Sequence, residues 1–246
     1  MENNWRAMVR KVIPLELRQG IAQTRRVWRD RKAGITFEKR RGGESWPVRI
    51  ELLQAVMPSP LLENKLLNIH RGISLINQSL IDSGESWSFW NRIGRPTACN
   101  GFVEGRNLVG DKLTRQIGGG LCQLSGLIYY LALKSGLDII ERHAHSMDIY
   151  REEERFTPLG ADATVTWGVK DLRIRNPLPF AVSIACILEG THLRAQLRCE
   201  NAVQACDLAF VREDITPERV SVITVVDGVK QWQTDYIRRP NLDLPG

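Results

Sequence analysis

Gly118-Gly119-Gly120-Leu121-Cys122-Gln123-Leu124-Ser125 decides how this chain is read. Leu121, Leu124, Ile128 and Leu131 recur at three- and four-residue intervals, the spacing of one helix face, and Gly136 stands where a glycine commonly ends a helix. The three glycines therefore lead into a buried helix whose first turn holds Cys122. A helix start offers unpaired N–H groups and the positive end of the dipole, both of which favour thiolate, the nucleophilic form of cysteine. Gly118, Gly119 and Gly120 also let backbone approach a substrate and leave N–H groups for a developing oxyanion, with Gln123 beside them. A cysteine that only fills a tight packing site remains the alternative.

Downstream, Asp138-Ile139-Ile140-Glu141-Arg142-His143-Ala144-His145 is a strand candidate whose period of two sets His143 and His145 on one face. Either imidazole can serve as general base to the thiol, and a third group must then orient it. Asp162 and Asp171, each at the start of a further strand candidate, compete for that role. One cysteine and two histidines also suit zinc, but neither an HExxH nor a CxxC spacing accompanies them, so no metal or other cofactor is expected.

Upstream, Leu66, Ile69, Ile73 and Ile76 predict a core helix over about 60–77, and Ser86–Trp90 alternates like a half-buried strand. A loop follows through Gly94, Pro96 and Gly101. After Gly160 the pattern is β: 163–167, 172–174, 180–188, 192–199 and 220–226, with turns at Glu189-Gly190 and Asp227-Gly228. The fold expected is α+β, helices packed on a mainly antiparallel sheet, with Cys122 at a helix N-terminus followed by His and Asp on strands. That order matches a papain-like or transglutaminase-like core by analogy.

Residues 1–41 carry twelve Lys/Arg against four acids, a net +8, while the whole chain nets +6. A basic, partly helical arm over 1–41 and a single α+β domain over 42–246, with a C-terminal β extension, is the organisation expected. Trp5, Met8, Val9 and Val12 form one face of a short helix opposite Arg6, Arg10 and Lys11, suited either to an anionic membrane surface or to docking on the body. Leu17, Ile21 and Trp28 suggest a further helix. Nucleic acid is disfavoured as a partner, since no binding signature accompanies the basic arm. No apolar run is long enough to span a membrane, and Met1-Glu-Asn-Asn-Trp-Arg does not resemble a secretory signal. The five cysteines are odd in number and lack CxxC spacing. A cytoplasmic chain, peripheral to the inner membrane face through residues 1–13, is the expectation.

The glycine-cysteine block, Glu141-Arg142-His143-Ala144-His145-Ser146 and Gly160-Ala161-Asp162-Ala163-Thr164-Val165 together resemble the VanW family, associated with B-type vancomycin resistance. Gly84–Asn91 and Asp171–Asn176 resemble two further segments, so the likeness covers about residues 48–200. Some secreted, multidomain relatives are reported as cell-wall L,D-transpeptidases using the cysteine of the GGGxCQ block, a role that the resemblance carries over onto Cys122 alone. His143 and His145 match the RHxHS block and Asp162 the GxDAT block; Arg142 lies among them as a candidate substrate contact. The resemblance implies a cysteine-dependent acyl transferase or amidase acting on a small, peptide-bearing or anionic cell-wall precursor. A non-catalytic module binding such a precursor or a partner protein is the alternative.

Overall fold

The computed structural model describes residues 14–58, 60–109, 112–148, 155 and 157–238. The expected amphipathic helix over Trp5–Val12 lies outside them.

Four helices carry the described chain: α1 (Leu15–Lys32), α2 (Leu62–Ile76), α3 (Phe89–Ile93) and α4 (Leu121–Lys134). The apolar period that predicts α2 and α4 is the period they bury. Ile69, Ile73 and Ile76 of α2, and Leu121, Leu124, Leu127, Ile128 and Leu131 of α4, all lie in one core. These helices pack on the five-stranded sheet β1-β3-β10-β11-β2, built from Arg40–Arg41, Ser79–Ile81, Val182–Glu189, His192–Arg198 and Val48–Ala55, antiparallel throughout. Leu193, Ala195 and Leu197 of β11 turn inward in the alternation that a half-buried strand requires.

Three smaller sheets complete the α+β architecture. β4 (Ser86–Ser88), β9 (Arg173–Arg175) and β7 (Asp138–Glu141) pair in the order β4-β9-β7, and β5 (Glu104–Val109) pairs with β6 (Lys112–Ile117). β12 (Leu208–Thr216), β13 (Arg219–Val226) and β14 (Val229–Arg238) form a meander whose last strand adds β8 (Met147–Asp148) in parallel. Asp227 and Gly228 both take positive φ, 48° and 78°, as a two-residue hairpin with the right-handed strand twist needs.

Two expected strands end early. The alternation over Ser86–Trp90 breaks at Phe89 because Ser88 caps α3, its hydroxyl accepting from the Asn91 N–H at 3.1 Å. The strand expected through His145 ends at Glu141, so neither histidine lies on a strand. Beyond Glu141 the chain leaves its sheet partner: the His143 carbonyl accepts from Thr164 N–H at 2.7 Å, and the His145 N–H donates to Asp162 Oδ2 at 2.7 Å. Residues 163–167 likewise form no strand, apart from a bridge between Thr166 and Lys170. The Ala163 and Val165 carbonyls accept from Ser125 and Cys122 of α4, and the Thr164 N–H goes to His143. Asp162 therefore sits on an irregular extended segment.

The basic stretch is attached to this body. Asp30 of α1 makes a two-pronged pair with buried Arg173, and Arg26 pairs with Glu141. β1 joins the main sheet at its edge, just before Gly42-Gly43. Among the described residues no helix is long and apolar enough to cross a membrane.

Candidate active site

The glycines set the thiol in place through backbone contact. Gly120 precedes α4 at φ 102°, a left-handed conformation that a side chain would strain. Gly119 lies so close to the hairpin of β5 and β6 that an added Cβ would stand 2.3 Å from the Gly105 carbonyl carbon. Asn68 of α2 secures the approach, donating to the carbonyls of Val103 and Gly119 at 3.0 and 2.9 Å and accepting from Val103 N–H at 2.9 Å. Leu121 and Gln123 N–H turn back to the carbonyls of Gly118 and Gly120 at 3.3 and 3.0 Å. The Gln123 side chain points to β2 and donates to the Ala55 carbonyl at 2.8 Å.

Cys122 thus begins α4 partly buried, with its sulfur 3.6 Å from Thr164 Oγ1 and 3.8 Å from the Val165 carbonyl. Its imidazole partner is His145. Burial alone would raise the thiol pKa, but His145, with Val165 and Thr164, outweighs it and holds Cys122 below the ordinary value. Burial likewise disfavours the imidazolium, yet Asp162 and Cys122 together raise His145 well above the usual range. The two shifts belong to one coupled pair.

Asp162 orients that imidazole. Its Oδ2 lies 2.7 Å from His145 Nδ1, while Oδ1 accepts from Tyr236 Oη at 2.6 Å and Arg142 Nη2 at 2.9 Å. Burial opposes its charge, but His145 and Arg142 outweigh that and keep it below the normal carboxylate range.

Arg142, expected to meet substrate, is committed within the protein. Its guanidinium reaches the carbonyls of Asp162 and Gly160 at 2.8 and 3.0 Å and Thr234 Oγ1 at 2.8 Å, and its Cζ lies 5.0 Å from the Tyr129 ring centroid. His143 is turned elsewhere, with Nε2 at 3.0 Å from Glu141 Oε1. Asp171, the other expected orienting group, accepts from Ser88 Oγ at 2.6 Å and Trp90 N–H at 3.2 Å and serves the start of α3. Among the described residues no three His, Cys, Asp or Glu side chains converge as a metal set.

Four contributors escaped the sequence analysis. Thr164 faces the thiol, Tyr236 braces Asp162, Glu141 holds His143, and Lys65 lays its side chain on Gly120. Burial, with Arg106 nearby, brings Lys65 down to about 8. Thr164 and Glu141 lie inside the quoted blocks and were open to notice. Lys65 and Tyr236 carry no local signal.

The fold and site define an α+β protein with a free thiol at a helix start and an imidazole that a carboxylate supports. The family profile described as "VanW like protein" matches residues 64–198, more than half the chain, and the chain belongs to this family. A 157-residue stretch is 31% identical to the vancomycin B-type resistance protein VanW of Enterococcus faecalis (strain ATCC 700802 / V583), covering 61% of this chain and 57% of that protein. Another of 109 residues is 30% identical to the uncharacterized protein YoaR of Bacillus subtilis (strain 168), covering 44% of this chain and 34% of that one. The match thus spans only part of either relative's length. No solved structure matches the chain.

Proposed function

We propose that the chain is a cysteine-dependent acyl transferase or amidase in which Cys122 is the nucleophile, His145 the general base and acid, and Asp162 the orienting group. The observation that carries this reading is His145 held by Asp162, itself braced by Arg142 and Tyr236, close enough to the Cys122 thiol for the charge of His145 to lower that thiol's pKa.

In this mechanism His145 accepts the thiol proton, and the thiolate attacks the carbonyl carbon of an amide. A C–S bond forms as negative charge moves to the carbonyl oxygen. The Cys122 N–H is the oxyanion donor we assign, since its neighbours at Leu121 and Gln123 bond to carbonyls within the turn. Collapse breaks the C–N bond as His145 returns its proton to the departing amine, leaving a thioester. An incoming amine or water, deprotonated by His145, then attacks the thioester carbon and restores the thiol. The order of cysteine at a helix start, histidine and aspartate is that of a papain-like arrangement, by analogy of roles.

The relative named for vancomycin resistance points the proposal to peptide-bearing, anionic cell-wall precursors, free or lipid-linked at the inner membrane face. Incubation with a cell-wall precursor peptide, followed by intact-mass and site-resolved mass spectrometry, tests the step. An acyl adduct on Cys122, absent in Cys122→Ala and slow to form in His145→Ala, supports the reading. Saturable binding with no adduct and no release of amine would replace it with a binding module.

A further inference from the structure

Helix α1 is amphipathic in the opposite sense to a helix docked on a core. Its inward side is polar: Asp30 forms the buried pair with Arg173, Arg26 pairs with Glu141 and donates to the Val169 carbonyl at 3.1 Å, and Gln19 backbone abuts Gly168. Its outward side carries an apolar stripe. Leu17, Ile21 and Trp28 are 56%, 40% and 63% exposed, and steps of four and seven residues place them on one stripe. A helix held mainly by core burial would show the reverse.

The charges beside the stripe have one sign. Arg25, Arg29, Arg31 and Lys32 are exposed, and between residues 17 and 32 the sole acid is Asp30, turned inward. Lys32 Nζ sits 5.4 Å from the Trp28 ring centroid, its stem lying along the stripe. Alongside opens a groove of about 660 Å³ between α1 and the Gly168–Val169 turn, lined in part by Arg25, Arg29, Trp28 and the exposed Val169. Cations and apolar surface stand side by side there.

We infer that α1 lies flat in the interface of an anionic lipid bilayer, with Leu17, Ile21 and Trp28 entering the acyl boundary and Arg25, Arg29, Arg31 and Lys32 meeting headgroup phosphates. Apolar burial supplies the hold and the cations select the lipid. A second copy of the chain fits this face poorly, because two such stretches over residues 17–32 would set four exposed cations against four more, with no exposed acid of that stretch between them. The inward ion pairs fix the helix about its axis, so the stripe stays outward without the ligand. This inference is independent of chemistry at Cys122.

Flotation with full-length protein tests it, using vesicles of phosphatidylcholine alone and of phosphatidylcholine mixed with phosphatidylglycerol. The expected result is binding to the mixed vesicles only, weakening as salt shortens the Debye length from about 10 Å at 0.1 M to about 3 Å at 1 M. Leu17→Ser/Ile21→Ser/Trp28→Ser should bind about ten-fold more weakly, and Arg25→Gln/Arg29→Gln several-fold more weakly, each keeping the alkylation rate of Cys122 as a check of folding. Trp5→Ser/Val9→Ser should retain most of the binding. Failure of the wild type to bind, undiminished binding by both α1 variants, or loss of binding in Trp5→Ser/Val9→Ser alone overturns the inference. So does a solution dimer that the triple variant dissolves.

Discussion

The Tyr236 hydroxyl donates to Asp162 Oδ1 across 2.6 Å, joining the C-terminal sheet to the carboxylate that holds His145. Tyr236 lies beyond residue 198, where the family match ends, so the meander of β12, β13 and β14 is part of the site's support. Tyr236→Phe removes one of two donors on Oδ1 while Arg142 keeps the other. The expected loss is that of one hydrogen bond, about 1 kcal/mol in urea unfolding, with the pH midpoint of Cys122 alkylation nearly unchanged.

Asp162→Asn should do far more. Arg142, its side chain only 6% exposed, would lose its counter-charge, and removal of one partner from such a pair costs on the order of 3 kcal/mol. The imidazolium of His145 would lose its anchor as well. Alkylation of Cys122 should then shift its midpoint upward, toward the ordinary thiol value of about 8.5. A variant with wild-type stability and an unmoved midpoint would contradict the assigned role.

Two glycines make opposite predictions. At Gly119 an added methyl meets Gly105 backbone at 2.3 Å, and neither segment can yield without moving the β5–β6 hairpin or the start of α4. Gly119→Ala should therefore cost upwards of about 3 kcal/mol or fail to fold, beyond ordinary overpacking. At Gly20, inside exposed α1, nothing lies within 4 Å of the added atom. Gly20→Ala should gain up to about 1 kcal/mol, the difference in helix propensity, read as a raised thermal midpoint.

Acid should expose the pairing of Glu141. Burial raises its pKa, but the hydrogen bonds from His143 and Arg26 and the charge of Arg26 outweigh it and bring it down to about 2. A depressed carboxylate stabilises the fold above its unfolded pKa, about 4.3, and that contribution is lost as pH falls through the folded value. The stability gap between wild type and Glu141→Gln should thus be full above about pH 5 and close toward pH 2. A gap that stays constant across this range would show that the charge of Glu141 does not matter.

The helices and the placement of Cys122 were legible because α2 buries one stripe of a 3.6-residue period and α4, buried over most of its surface, carries the same period in Leu121, Leu124, Ile128 and Leu131. The expected contact of Asp162 with a histidine is met at His145. The two histidines were misplaced on a strand because side-chain alternation says nothing of where the ladder stops. Asp162, by taking the His145 N–H, draws the backbone out of the sheet from a position 17 residues away. Arg142 read as a substrate contact because an arginine beside two histidines looks free until Thr234 and Tyr236 arrive from β14. Lys65 and Tyr236 were invisible for the same reason: only the packing of distant elements brings them to the site.

The most direct measurement is the pH profile of iodoacetamide labelling at Cys122, followed by mass spectrometry at that site, in the wild type and in His145→Ala. A thiolate stabilised by His145 should label with a midpoint below about 8.5, and loss of the imidazole should raise the midpoint, since only Val165 and Thr164 then oppose burial. A wild-type midpoint at or above about 8.5 that His145→Ala leaves unmoved would contradict the pairing on which the proposed chemistry depends.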